Sequence, residues 1–360
     1  MALVFHSGFE TGNLIEWPTT AGTISASTLQ KNTGGSYSVV CQCASQNRYV
    51  YAGINFLRSS FWIYVSTRPN VEEFLVGLGS NQNLRMDAAG HILWYDHTTL
   101  VATSAVISTA QWVRIATALT ASAYKAYLWI NGVVDSNING ISVSDNTMGS
   151  YFGIINGAAA TGLWYLDDIV LDGATGNTDI GDLRVDLSAP AAAGDLTQMT
   201  PSSGANYTDV NEVPFSDTKY VSHAATAEDL YGIQSVATLG ISGTVQAVNI
   251  LMRAKYTTSA TAAIQVKDNG TDNATAVTLT ASAAWYKKYY ATLPTGGGTW
   301  TNARFNALQI GGKVSAGTMT IYEEYASVCY LYSAGTAAKK RVNRNYDLTK
   351  MNYSGKYRKY

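Results

Sequence analysis

Charge is what this 360-residue chain has least of, because only 14% of its residues are Asp, Glu, Lys or Arg, against roughly 25% in an ordinary soluble protein. Ser, Thr, Asn, Gly and Ala carry the surface instead. Long-range electrostatic steering is therefore weak, and the faces suit packing against other subunits or presenting hydroxyl and amide groups. That is not the surface of a cytosolic metabolic enzyme. Cysteine is scarce too, with three in the chain. Cys41 and Cys43 lie two apart in YSVVCQCAS, on one face of a strand and poorly placed for a disulfide; Cys329 is distant. An odd count without a framework pattern excludes a disulfide scaffold, and no second Cys or His pair completes four zinc ligands. The thiols read as buried and structural. No hydrophobic run approaches the roughly 20 residues of a membrane-spanning helix, so no membrane partner is expected. The opening MALVFHSGFETGN lacks a basic n-region and a long apolar core, which predicts synthesis in a cytoplasm without a secretory signal.

What is present is aromatic and strand-like. Twenty-four Tyr and eight Trp fit pleated, half-buried surfaces. The first half reads as strand after strand: SYSVVCQC, YVYAGINF, SFWIYVS, EEFLVGLG, NLRMDA, HILWYDH, WVRIATAL, AYLWING, YFGIING and LWYLDDIVLD. Asn131-Gly132 marks a hairpin, since both residues tolerate the positive φ of a type I′ turn, and Ala89-Gly90 divides another pair. After Asp172 periodicity lapses into Gly-, Pro-, Ala- and Ser-rich sequence, which reads as linker and entry loops. Strands return from Lys219: KYVSHAA, YGIQSVATLG, VQAVNILMRAKY, AAIQVKDN, TAVTLT, WYKKYYATL, FNALQIGGKV and MTIYEEYASVCYLY. Each half closes alike, with a Trp-led strand, a middle strand ending on Gly, and a last strand in which two acids interrupt an aromatic-aliphatic run. The pattern predicts an all-β chain of two tandem antiparallel β-sandwich (jelly-roll) domains, residues 1–178 and 179–335, followed by an extended basic arm, residues 336–360.

The arm holds eight Lys and Arg against Asp347 alone, a charge of +7, and the other 335 residues hold 16 cations against 24 acids, a charge of −8. Lys339, Lys340, Arg341, Arg344 and Arg358 are interleaved with Tyr346, Tyr353, Tyr357 and Tyr360. Three uses are open: docking onto a neighbouring subunit, a solvated tail, or nucleic-acid binding through phosphate contacts and base stacking. Opposite charge on body and arm favours docking, between copies of the chain or onto other proteins, over nucleic acid.

The phrases FETGNLIEW, WVRIATAL, YLWINGVV and LWYLDDIVLD, over residues 3–172, resemble the concanavalin A-like, laminin G-like jelly roll. From NEVPFSDTKYVSH through TWTNARFNALQIGGKV to TIYEEYASV, residues 182–332 are similar to a jelly-roll module of tailed-bacteriophage virion proteins. The resemblance implies a non-enzymatic, oligomeric structural component of the virion, most naturally an accessory tail or fibre protein that docks on neighbours and contacts host glycans. Capsid decoration is the alternative place for such a module. A soluble glycan-binding or glycan-cleaving protein is the alternative class.

Glycan cleavage needs paired carboxyls about 5–5.5 Å or 6.5–9.5 Å apart. In LWYLDDIVLD strand alternation puts Asp168 and Asp172 on one face about 13 Å apart, with Asp167 opposite; Glu323 and Glu324 likewise face opposite sides. The E-x-D-x-x-E pattern of the related glucanases is absent, so no catalytic residues are assigned. His91 and His97 lack companions for a metal site. No nucleophile elbow or phosphate-cradling loop occurs. The laminin G-like likeness implies a rim calcium at most, with Asp145, Asn146 and Asp179 as its candidates by residue type, and no other cofactor. For a sugar platform the candidates are Trp94, Tyr95 and Trp164, whereas Trp112 and Trp129 read as core.

Overall fold

Strands that alternate apolar and polar residues must hide one face against a second layer, and the first half of the chain builds both. The computed structural model describes residues 1–32, 35–43, 46–77, 82–154 and 161–333. One sheet runs, in spatial order, Val133–Ser142, Lys125–Ile130, Trp112–Leu119, Arg58–Thr67, Leu163–Asp172, Ser38–Gln42 and Ser25–Ser27, with Leu3–Ser7 also paired to Leu163–Asp172. The facing sheet runs Thr99–Val106, His91–Asp96, Gln82–Met86, Glu73–Val76, Met148–Ile154, Arg48–Phe56 and Thr19–Ala21. Phe61, Ile63, Ile115 and Leu128 from the first meet Val50, Leu84, Trp94 and Phe152 from the second in one core. Taking each such side chain out of water contributes roughly 1.5–3 kcal/mol. Asn131 and Gly132 take φ of 53° and 82°, the type I′ geometry their sequence predicts.

The second half folds as a nine-stranded antiparallel sheet wrapped around its own core. Its spine is two long strands, Thr244–Asp268 and Gln309–Leu331, paired over most of their length. Register shifts at Arg253/Ala254 and through Tyr256, Thr258 and Thr261 bend the pair, as bulges do, so that each strand serves both layers. VQAVNILMRAKY and AAIQVKDN are therefore one strand, as are QIGGKV and MTIYEEYASVCYLY. FNAL is not strand: Asn302–Asn306 is a short helix, capped by the Thr301 side chain accepting from Arg304 N. The segment read as linker also holds strands. Leu183–Ser188 pairs with Gln309–Leu331, and Pro190–Thr197 with Ala227–Ile233. PAAAGDLT lies at the edge of the sheet and is mostly exposed, so it carries no apolar period for a sequence reading to find.

All three cysteines are free and buried, and burial pushes the Cys43 thiol up to about 12. Among the described residues no helix is long and apolar enough to cross a membrane.

Candidate functional site

The acidic pair of the first sandwich does not sit as alternation demands. Asp168 takes a φ of 48°, and the ladder to Arg58–Thr67 slips between Asp167 and Val170. This bulge turns both carboxylates to the same loop: Asn32 N donates to Asp167 Oδ2 at 3.1 Å, and Asn32 Nδ2 to Asp168 Oδ2 at 2.9 Å. The expectation of opposite faces is thereby corrected. Glu10 joins them, accepting from Ser36 N at 2.8 Å. Burial, with the charge of Asp186 next, raises the Glu10 pKa well above its ordinary value. Burial and the neighbouring Asp168 do the same to Asp167, while burial, offset by Arg184, brings Asp168 to about 6.

These groups belong to the seam between the two sandwiches. Asp168 Oδ1 accepts from Val185 N at 2.8 Å, and the Arg184 guanidinium stands 3.7 Å from its other oxygen. Arg184 also bonds Asp182 at 2.7 Å and lies 4.1 Å over the Trp62 ring. Further along, Ser327 Oγ donates to Glu16 Oε1 at 2.7 Å, His6 Nε2 meets Ser327 O at 3.0 Å, and Lys287 Nζ donates to Glu16 O at 3.0 Å. Burial lowers the His6 pKa to about 4. Around this polar network lies an apolar cluster that includes Leu3, Val170, Val185 and Cys329. The seam is thus a buried structural joint, and its carboxyls are spent on amides, serine hydroxyls and the Arg184 guanidinium.

The acids of the second sandwich do face opposite ways. Glu323 accepts from Ser216 N at 2.9 Å, Glu212 N at 3.1 Å and Tyr325 OH at 2.8 Å, yet burial still carries its pKa to about 8. Glu324 points inward, is 0% exposed, and neither of its oxygens has a hydrogen-bond partner. Burial, with the charge of Asp229 behind it, raises its pKa well above the carboxylate range.

The residues singled out for sugar and metal fall elsewhere. Trp94 and Trp164 are both 0% exposed in the first core, because alternation puts Ile92 and Trp94 inward; no sugar can stack on either. Tyr95 faces outward but is 9% exposed, with the Arg85 guanidinium 3.8 Å over its ring and its hydroxyl 2.7 Å from Glu72 Oε2. Trp129 is buried in a small apolar cluster with Ala116 and Ala118, beside Tyr127, as its strand suggested, whereas Trp112 is only half-buried and is not the core residue expected. Asp179 is paired with Arg114, and Asp145 accepts from Thr147 N at 3.1 Å and Thr147 Oγ1 at 2.9 Å. His91 Nδ1 is 2.8 Å from Asp87. Among the described residues no three His, Cys, Asp or Glu side chains form a metal-holding group. The arm residues, from Lys339 to Tyr360, lie outside the described residues.

A different aromatic group is open. On the outer face of the second sheet Tyr51 and Tyr151 stack with ring centroids 4.0 Å apart, and Tyr49 meets Tyr151 edge-on at 5.1 Å. All three are half-buried. The signal was in the sequence: YVY alternates Tyr49 and Tyr51 with the core residue Val50, and Tyr151 precedes the core residue Phe152.

The charge balance also changes once placed in space. Of the 24 acids in residues 1–335, 14 are buried, against three of the 16 cations. Most of the body's acidic charge is therefore carried by buried side chains.

No family model and no curated protein matches the chain. Among solved structures it is similar to Trypanosoma rangeli sialidase in complex with the inhibitor DANA, at 11% identity and a TM-score of 0.33, over 43% of this chain and 27% of that one. It is similar to the botulinum neurotoxin type G receptor binding domain at 12% identity and a TM-score of 0.35, over 65% and 72%. The binding domain of Paraclostridial Mosquitocidal Protein 1 gives 15% identity and 0.35, over 64% and 70%. The chain thus spans about a quarter of the sialidase's length, and likeness at these TM-scores carries no functional argument.

Proposed function

We propose that the chain is a non-catalytic structural component of a tailed-phage particle, placed at an accessory tail or fibre position and anchored through its basic arm. The observation that carries the non-catalytic reading is the use made of the paired carboxyls. Asp167, Asp168 and Glu10 are buried and hydrogen-bonded at or beside the seam, and Glu324 is closed inside the second core. A glycosidase needs two carboxyls open to substrate and water. The phage setting rests on the resemblance of residues 182–332 to a virion jelly roll and on the arm of +7. The arm's partner is read as an acidic surface on another virion protein or on a further copy of the chain.

Cutting the chain after Ala338 tests this. The shortened protein should fold with an unchanged far-UV spectrum and be absent from purified particles. A shortened chain that incorporates at the full-length level would refute arm docking, and release of reducing sugar from a glycan panel by the full chain would refute the non-catalytic reading.

A further inference from the structure

We infer that the outer face formed by Arg48–Phe56 and Met148–Ile154 is a binding site for a neutral glycan chain; this deepens the proposed host-contacting role and rests on it. Three observations converge on one patch. The first is aromatic: Tyr49, Tyr51 and Tyr151 stand together on the solvent side, with Tyr51 and Tyr151 directly opposite in the ladder.

The second is an open floor beside them. Gly53 follows Tyr51 on the same face, and a Cβ built there would meet nothing within 4 Å. Across the ladder Gly149 is opposite Asn55, and a Cβ at Gly149 would meet only the Tyr151 ring, at 3.4 Å. Glycine in a strand interior weakens the strand and marks either a bulge, as at Gly53, or a place where another group approaches the backbone. Here two glycines lie next to an aromatic wall and an exposed Asn55. A pyranose ring lying on that floor would press its C–H face against the tyrosines and reach the Asn55 amide.

The third observation is electrical. Around the tyrosines and the floor, residues 49–57 and 147–154 and the adjoining 18–22 contain no Asp, Glu, Lys or Arg, and the one charged residue of the two strands, Arg48, stands at their far end opposite Ile154. An anionic sugar would find no counter-charge beside the floor, whereas a neutral one needs only ring faces, amides and hydroxyls. A cross-strand tyrosine cluster also stabilises a sheet, and Gly53 is required by its φ of 76° in the bulge where the register shifts between Gly149 and Tyr151; neither role accounts for glycine at 149, which has no positive φ and leaves the floor beside the rings open.

The test is calorimetric titration of the full chain with cellohexaose, laminarihexaose, maltohexaose and mannohexaose, with sialyllactose as the anionic control. At least one neutral probe should bind, and Tyr51→Ala with Tyr151→Ala should weaken it by about tenfold or more. If that pair unfolds the sheet, Asn55→Arg keeps the tyrosines, lays a long side chain over the floor, and should weaken binding to the same extent with an unchanged melting temperature. Binding of none of the neutral probes, equal binding by wild type and both variants, or preference for sialyllactose would each overturn the site. Particle incorporation is read separately, so a glycan failure with normal, arm-dependent incorporation removes this site and leaves the virion role standing.

Discussion

Replacing Glu324 by Met should stabilise the protein, and more so as pH rises. The carboxyl lies in the second core with both oxygens unpartnered and no exposure. A buried polar group left without a partner costs about 1–3 kcal/mol, and methionine fills a similar volume with no polar atom. Asp229, the nearest charge acting on it, accepts from Met199 N at 2.8 Å and Tyr231 OH at 2.8 Å. Asp229 thus has donors around it, and Glu324 has none. A carboxyl whose folded pKa is raised binds its proton more tightly folded than unfolded. Stability is then greatest below the unfolded value near 4.5 and falls as pH rises toward the folded value, by about 1.4 kcal/mol per unit for one such group. Glu324→Met removes that slope. Urea unfolding followed by the fluorescence of Trp285 and Trp300 at pH 5, 7 and 9 should show a gain of about 1–3 kcal/mol at pH 5, widening at each step. A variant less stable than wild type at all three values would refute the placement of a dry, protonated carboxyl in this core.

The remaining predictions are simpler. Glu323→Gln should flatten part of the stability loss between pH 4.5 and about 8, the window set by its raised pKa; an unchanged pH profile would contradict the burial argument. Arg184→Ala strips Asp168 of its buried partner and removes the stack on Trp62, so it should cost about 3–5 kcal/mol, read by denaturant unfolding; a cost below about 1 kcal/mol would mean the seam is not built as described. Gly243→Ala would put a Cβ 1.6 Å from Leu331 O, and the variant should fail to form the second sandwich, seen as lost near-UV ellipticity. Ellman's reagent should label none of the three buried thiols in the native protein and all three in guanidinium; rapid native labelling would contradict their burial.

Much of the architecture was legible because strand alternation and turn chemistry are local. Asn131-Gly132 specifies its hairpin with two residues, and the inward set of HILWYD follows from counting by two. The same count places Trp94 in the core, against its reading as a sugar platform, and brings out Tyr49 and Tyr51. Other features depend on partners far away in the chain. The bulge at Asp168 is set by contacts to Asn32 and Val185, and an Asp at positive φ inside an apolar strand has no neighbouring turn residue, such as the Gly after Asn131, to mark it. Pro190–Thr197 is a strand only because Ala227–Ile233 lies beside it. The −8 of the body said nothing about where its acids sit, and 14 of them are buried, at the seam, in the second core and elsewhere.

The most direct measurement of the central claim is immunogold electron microscopy of purified phage particles, using antibody raised against residues 1–333. Regular label is expected on the tail or its fibres of intact particles. Label confined to the head would contradict the assigned position, and particles without label, with the protein found free in the lysate, would contradict the virion role.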